Sequence, residues 1–349
     1  MRTQPKRFLA LLASVALPVA LLAGCGSSDA SGSGTTSTTR GSVTTSSIPP
    51  GTVLRVGDQL KALETVLSLA GEDKSFPYTV QYSQFIGGPP MLQAFEGGSL
   101  DTGFVFSTPL IFAQSANQAL TAVAGWATAG STYALVSAPG KASIKSWASL
   151  KGQKVAYQQG TASEAVLLEG LQSAHLSLSD ITSVNLPTTQ ISAALQGGSA
   201  DAGITVEPLL SVYLAANPTA HVVTYSNDLT DKTSFLIASA STLADKGKSA
   251  ALADYISRLV KSYQYLNAHP GVAAKAIYVG QYGLTPARAA QVAKETGKTS
   301  FIQLPGQIEA SQQNLADLFF QAKVIPAKIN VTQQFDPRFN SLVASVQGS

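Results

Sequence analysis

An octapeptide returns after an offset of 100 residues: Glu96-Gly97-Gly98-Ser99-Leu100-Asp101-Thr102-Gly103 recurs as Gln196-Gly197-Gly198-Ser199-Ala200-Asp201-Ala202-Gly203, with five identities. Each copy follows a helical pattern, precedes an apolar stretch and reaches a proline soon after, Pro109 and Pro208. The glycines suit the left-handed end of a helix, and the aspartate opens the next strand. Helix, Gly-Gly and strand in that order also make a common αβ loop. Five identities over eight positions, a lobe's length apart, point instead to two related, similarly built lobes.

The chain around the repeat has the matching rhythm. Val53-Leu54-Arg55-Val56 reads as a strand and Gln59 to Leu69 as a helix; Tyr78 to Tyr82 reads as a strand and Pro89 to Phe95 as a helix. Lys154 to Tyr157 (strand), Ser163 to Ala174 (helix), Ile181 to Leu186 (strand) and Thr189 to Leu195 (helix) continue it. This alternation predicts an α/β protein with parallel sheets covered by helices. From about residue 240 the pattern turns helical. Leu252, Tyr255, Ile256, Leu259, Val260, Tyr263 and Leu266 form one apolar stripe. His269-Pro270 breaks it, a second helix begins over Gly271 to Tyr282, and a third covers Ile308 to Phe320. Thr132-Tyr133-Ala134-Leu135-Val136 and Ser234-Phe235-Leu236-Ile237-Ala238 read as two crossing strands about which the lobes hinge. The expected lobes are 51–136 with 237–349, and 137–236.

Ahead of this body lies a different kind of chain. Arg2, Lys6 and Arg7 precede an apolar run over Phe8 to Ala23, and Leu22-Ala23-Gly24-Cys25 ends it. This is the pattern of a secretory signal over 1–25, too short to span a ~30 Å hydrocarbon core comfortably. Cys25 is the only cysteine. A lone cysteine at this place predicts lipidation, and two or three acyl chains make a stable anchor. Residues 26–50 are nearly all Ser, Thr and Gly, a composition that cannot order itself, and form a tether reaching about 25–30 Å.

The formal net charge of +3 comes from the leader: 23 Lys+Arg less the three there leaves 20, against 20 Asp+Glu. With charged residues at 12% and no basic patch with interleaved aromatics, nucleic acid is not an expected partner. The histidines, His175, His221 and His269, have no His, Cys or carboxylate at metal-ligand spacing, and neither a G-x-S-x-G nor a phosphate loop occurs. No metal, cofactor or catalytic set is expected.

Loops at strand C-termini are the candidate site, because open α/β sheets bind ligands there. Gln158-Gln159-Gly160-Thr161-Ala162-Ser163 follows a strand and starts a helix; Gly160 admits a ligand to the backbone, and Thr161 and Ser163 offer hydroxyls beside helix amides. Either residue also serves as an ordinary N-cap. Ser107-Thr108-Pro109 and Gly87-Gly88-Pro89-Pro90 are two further helix starts, readable too as a cap and a turn. Three such starts facing one cleft would hold an oxyanion by dipoles, without an arginine.

The body resembles the aliphatic-sulfonate, taurine and nitrate group of ABC-transporter solute-binding proteins, most of all its aliphatic-sulfonate branch, from about Leu54 to Val331. The residues that carry the resemblance are Leu150-Lys151-Gly152-Gln153-Lys154-Val155-Ala156-Tyr157-Gln158 with Gly160, Ile111-Phe112-Ala113-Gln114, Asn314 to Phe319, and Ile325-Pro326-Ala327-Lys328. It implies a periplasmic-binding-protein-like fold of the second topological type, two Rossmann-like lobes joined by two hinge strands. It places Gln59, Gly88, Pro89, Thr161 and Ser163 in loops that line the family's cleft; Ser107, Thr108, Gln158, Gly160 and Glu207 complete the candidate set. The expected function is capture of a small anion, an aliphatic sulfonate, by a monomeric, lipid-anchored extracytoplasmic protein, at the periplasmic side or outer face of the membrane, that serves an ABC permease and its ATPase. Nitrate, bicarbonate, taurine and a pyrimidine thiamine precursor are the alternatives within the resemblance. A secreted enzyme on the same fold, or a surface module binding another protein, is the alternative outside it. The family often has Asp where Ser107 stands, His where Glu164 stands and Trp-Asp-Pro where Val206-Glu207-Pro208 stands. Glu207 is expected to cap or salt-link the next helix; pointing inward, it would instead pair with the amine of an amino-sulfonate. Trp126 suits an aromatic wall or a core position equally.

Overall fold

The computed structural model describes residues 47–130, 132–226 and 232–348; the expected signal, Cys25 and nearly all of the tether lie outside them. The first sheet is built from β1 (Val53–Gln59), β2 (Thr79–Phe85), β3 (Thr102–Phe106) and β4 (Leu120–Thr128). Helices α1 (Ala62–Ala70), α2 (Gly88–Glu96) and α3 (Ser107–Ser115) alternate with them. The second sheet contains β5 (Tyr133–Ser137), β6 (Lys154–Tyr157), β7 (Thr182–Asn185), β8 (Ala202–Val206) and β9 (Val222–Tyr225), with α4 (Ala162–Ser173), α5 (Thr188–Gln196) and α6 (Leu209–Ala216). The chain then returns through β10 (Thr233–Ser239), α7 (Ala240–Ala244), α8 (Lys246–Ala268), α9 (Pro270–Ala273) and a π-helical segment, Ala274–Gln281. It finishes with α10 (Pro286–Thr296), β11 (Thr299–Ile302), α11 (Ile308–Gln321) and α12 (Asn340–Gln347).

The strand orders are β11-β4-β10-β3-β1-β2 and β7-β6-β8-β5-β9. Each sheet has a parallel trio, β2-β1-β3 or β7-β6-β8, flanked by an antiparallel strand, β10 or β5. The sheets are therefore two versions of one plan. The two strands expected to cross between the lobes each belong to one sheet along their whole length, β5 to the second and β10 to the first. The chain changes sheet between β4 and β5 and again between β9 and β10. Both strands are buried except at Ser239, so their sequences do not reveal which sheet they join.

The repeated octapeptide does the same work twice. Gly97 and Gly197 end their helices with amides donated to Gln93 O and Ala193 O, and Gly98 (φ 66) and Gly198 (φ 70) turn the chain. Ser99 and Ser199 hydroxyls donate to Ala94 O and Ala194 O. The amide of Asp101 donates to Arg55 O (2.9 Å), and the Asp101 carboxylate accepts the Arg55 amide (2.8 Å). Asp201 and Lys154 make the same pair at 2.8 and 2.9 Å. A Cβ on Gly103 or Gly203 would lie 2.8 Å from Met91 Sδ or Ile191 Cγ2, so both glycines let a helix lie close on the sheet. Each lobe's aspartate ties the start of its third strand to the first.

Gln59 is the last residue of β1, and the helix expected from it begins at Ala62. Asp58 is the cause. Its fully buried carboxylate accepts the amides of Gln59 (2.7 Å), Leu63 (3.0 Å) and Glu64 (3.1 Å), capping α1 from the strand end. The intervening Leu60 and Lys61 must fold over in the left-handed region, at φ 52 and 59. In α8 the predicted stripe is buried except for the partly buried Tyr263, and the segment after His269-Pro270 continues as a widened helix. Among the described residues no helix is long and apolar enough to cross a membrane.

Candidate functional site between the lobes

Three helix starts converge where the lobes meet. In the first lobe, a Cβ on Gly88 would collide with Pro109, so the starts of α2 and α3 lie against each other. Across the gap, a Cβ on Gly87 would strike the Gln158 side chain, and one on Gly160 would lie 2.9 Å from Pro89 Cγ. The glycines thus bring the loop before α2 into contact with the loop before α4. Gln158 straps the contact: its Nε2 donates to Ile86 O (3.0 Å), while its Oε1 accepts from the Thr188 amide (2.9 Å) and hydroxyl (2.7 Å).

The structure brings Gly88, Pro89, Ser107, Thr108, Gln158, Gly160, Thr161 and Ser163 to this convergence, and all but Pro89 are buried. Thr161 is the N-cap of α4; its Oγ1 accepts the Ser163 amide (3.2 Å) and donates to Gln158 O (2.7 Å). Several donors at this start are thus engaged within the protein. The start of α3 has no side-chain cap. There Ser107 Oγ donates to Thr233 O (3.3 Å), and Gln312 Nε2 donates to Ser107 O (3.0 Å). Gln59 stands one strand away, its Nε2 donating to Phe104 O (2.7 Å).

A cavity of about 270 Å³ opens beside the start of α3, since Phe106, which precedes Ser107, lines it. Its walls include Phe104, Trp126, Val206, Tyr263 and Tyr278, with Lys232 and Glu207 supplying charge. Trp126 takes the core position and also borders the cavity. It is 3% exposed and packs on Phe104 (5.6 Å between centroids) and Phe301 (5.4 Å), yet it lines this space.

Glu207 stands apart from the helix starts. Its Oε1 accepts from Arg288 Nη2 (2.9 Å) on α10, and its Oε2 accepts the Ser211 hydroxyl (2.7 Å) and amide (3.3 Å) at the start of α6. The expected cap and salt link are therefore made by the same carboxylate. Burial pushes Glu207 up; Ser211 and Arg288 pull it back part of the way. Replacing Arg288 by alanine leaves a 5%-exposed carboxylate without its cation. A loss of about 1–2 kcal/mol in urea unfolding is expected, less than for a fully buried pair because Arg288 is itself 27% exposed. An unchanged midpoint would remove the pair from the forces joining these elements. Sequence reasoning missed Arg288, which lies 81 residues from its partner.

Among the described residues no group of three His, Cys, Asp or Glu could hold a metal. His221 bonds Ser137 Oγ (2.9 Å) and Ile144 O (2.8 Å), and His269 stacks on Tyr265, which are structural roles.

Two mirrored lobes, a cleft of helix starts and an adjoining apolar cavity define the two-lobed periplasmic-binding-protein fold of solute-binding proteins. The profile of the NMT1/THI5 like family matches residues 87–273, and the chain belongs to that family. An Escherichia coli (strain K12) protein named for binding aliphatic sulfonates is 29% identical over 284 residues, 80% of this chain and 88% of that one. The alkanesulfonate-binding protein SsuA of Xanthomonas axonopodis pv. citri, solved with MOPS bound, superposes with a TM-score of 0.73 at 25% identity, covering 83% of this chain and 99% of that one. The periplasmic aliphatic sulphonate binding protein SsuA of Escherichia coli gives 0.70 at 28% identity, over 83% and 93%.

Proposed function

We propose that this chain is the solute-binding component of an ABC importer and that it captures an aliphatic sulfonate between its lobes. The observation that carries this reading is the convergence of the α2, α3 and α4 starts between the lobes, next to the aromatic cavity beside Phe106. Helix-start amides suit an oxyanion that keeps its charge at every physiological pH, and the ring-lined space suits an apolar tail. The sulfonate-binding relatives at 25–29% identity support the same reading. Glu207, engaged by Arg288 and Ser211, is not offered to an amine, which favours alkanesulfonates over taurine. The partners are a permease with its ATPase. Cys25 carries a lipid that holds the protein, as a monomer, outside the cytoplasmic membrane, and residues 26–50 tether the body to it.

Thermal unfolding of the chain from residue 26, with alkanesulfonates, taurine, nitrate, bicarbonate and pyrimidines, tests the solute. An alkanesulfonate at a hundredfold excess over its dissociation constant is expected to stabilise the protein by about 2.7 kcal/mol. A shift with another class alone would reassign the solute and leave the importer role. Labelled fatty acid fed to expressing cells is expected to mark the full chain and not Cys25→Ala; equal labelling of both would remove the anchor.

A further inference from the structure

Helix α4 is shared by the two lobes. Ala165 and Leu168 pack in the first lobe's cluster with Met91, Leu110 and Phe319, whereas Val166, Leu167 and Leu171 pack in the second lobe's core. At its first turn, where Gly160 meets Pro89 across the gap, sits Glu164, 0% exposed. Its Oε2 accepts the Gly160 amide at 2.8 Å, and its Oε1 has no hydrogen-bond partner. A carboxyl buried at the seam, half satisfied and at the convergence proposed to take an anion, fits the capture of a solute only in its neutral form.

We propose that closure of the lobes takes up one proton, at Glu164, so that capture of an anion in this cleft is proton-linked. The elements packed on α4 provide no cation at this carboxyl. Helix α3, β8 and the turn Trp147–Leu150 carry no titratable side chain. Strand β5 carries Tyr133, β6 carries Lys154 and Tyr157, α11 carries Glu309 and Asp317, α2 carries Glu96, and α4 itself carries Glu169. Of these, Tyr157 feels the Glu164 charge. Burial is what acts on Glu164, pushing its carboxyl up to about 7 against the Gly160 amide. When the lobes part, water reaches this turn and the carboxyl returns toward 4.5, its ordinary value. The reaction is then open carboxylate plus proton plus anion giving the closed neutral acid with the anion bound. An ionised Glu164 would confront the incoming anion with a second negative charge.

The inference rests on the proposed anion capture, and the test separates the two. Butane-1-sulfonate, which does not titrate in this range, is bound by calorimetry from pH 5 to 8 in pairs of sulfonate-free buffers of different ionisation enthalpy. For the wild type the dissociation constant is expected to rise by up to about tenfold per pH unit between pH 5 and 7, with close to one proton taken up near pH 6. For Glu164→Gln, which keeps the shape and the Gly160 bond, it is expected to change less than about twofold, without proton uptake. In parallel, small-angle scattering without solute is expected to show the wild type opening between pH 5 and 8 and Glu164→Gln staying closed. A flat wild-type binding profile, or the same slope in both proteins, overturns the proton link. If butane-1-sulfonate binds at no pH, the sulfonate reading fails, and the scattering comparison alone decides whether closure takes up the proton.

Discussion

Asp101→Ala is expected to cost about 4 kcal/mol in urea unfolding, with Asp201→Ala costing about half as much. The positions do the same backbone work, so their difference isolates the charges around them. Asp101, 2% exposed, accepts Arg55 Nη2 (2.7 Å), Arg55 Nε (3.0 Å) and Lys248 Nζ (2.8 Å) besides the Arg55 amide. Asp201, 16% exposed, has the Lys154 amide and the exposed Lys141. Removing Asp101 strands a guanidinium, an ammonium and an amide together, although the cations, about one-third exposed, recover part of their hydration. Burial alone would raise the Asp101 carboxyl; Arg55 and Lys248 outweigh it and hold it below its ordinary value. A lowered carboxyl stabilises the fold above its unfolded value, near 3.8, and loses that contribution as the pH falls through the lower folded value. The mutant's deficit should therefore narrow below about pH 4. A deficit for Asp101→Ala no larger than that of Asp201→Ala would show that the cations contribute little.

Glu164→Gln is expected to gain stability relative to the wild type as the pH rises, by up to on the order of 3 kcal/mol between pH 5 and 8, the gain stopping at the cost of parting the lobes once the wild type opens. The sign follows from the raised carboxyl. From 4.5 up to about 7 the unfolded chain has released its proton while the folded protein keeps it, so the wild type loses stability with rising pH; above that window both forms are ionised and the loss is complete. Glutamine carries no such penalty. Unfolding midpoints of the two proteins that run parallel from pH 5 to 8 would show that water reaches Glu164 in the folded state.

The sequence disclosed the parts of this fold that are local. The five identities of the octapeptide mark five repeated local tasks, and Thr161 caps the helix that its position predicts. What escaped depends on partners far along the chain. Asp58 caps α1 from the preceding strand, which no helix pattern starting at Gln59 displays. Strands β5 and β10 are buried at nearly every position, and only pairing decides their sheet. Glu164 occupies a first-turn position where a glutamate ordinarily faces water; it is buried at the turn where Gly160 meets Pro89 and α4 packs on α3. The candidate helix starts were legible, and so was the expected cap and salt link of Glu207, but Arg288 as the partner was not.

The placement of β10 between β3 and β4 has a consequence for the birth of the molecule. Strands β5 to β9 are contiguous in the chain, so synthesis delivers a complete second sheet by residue 225. At that moment β3 and β4, already made, still lack the strand that will separate and pair them, and β4 waits as well for β11 at Thr299–Ile302. The edge of β3 stays open until β10 is complete at Ser239, and one edge of β4 until β11 is complete at Ile302, the state in which edge-to-edge aggregation is most easily templated.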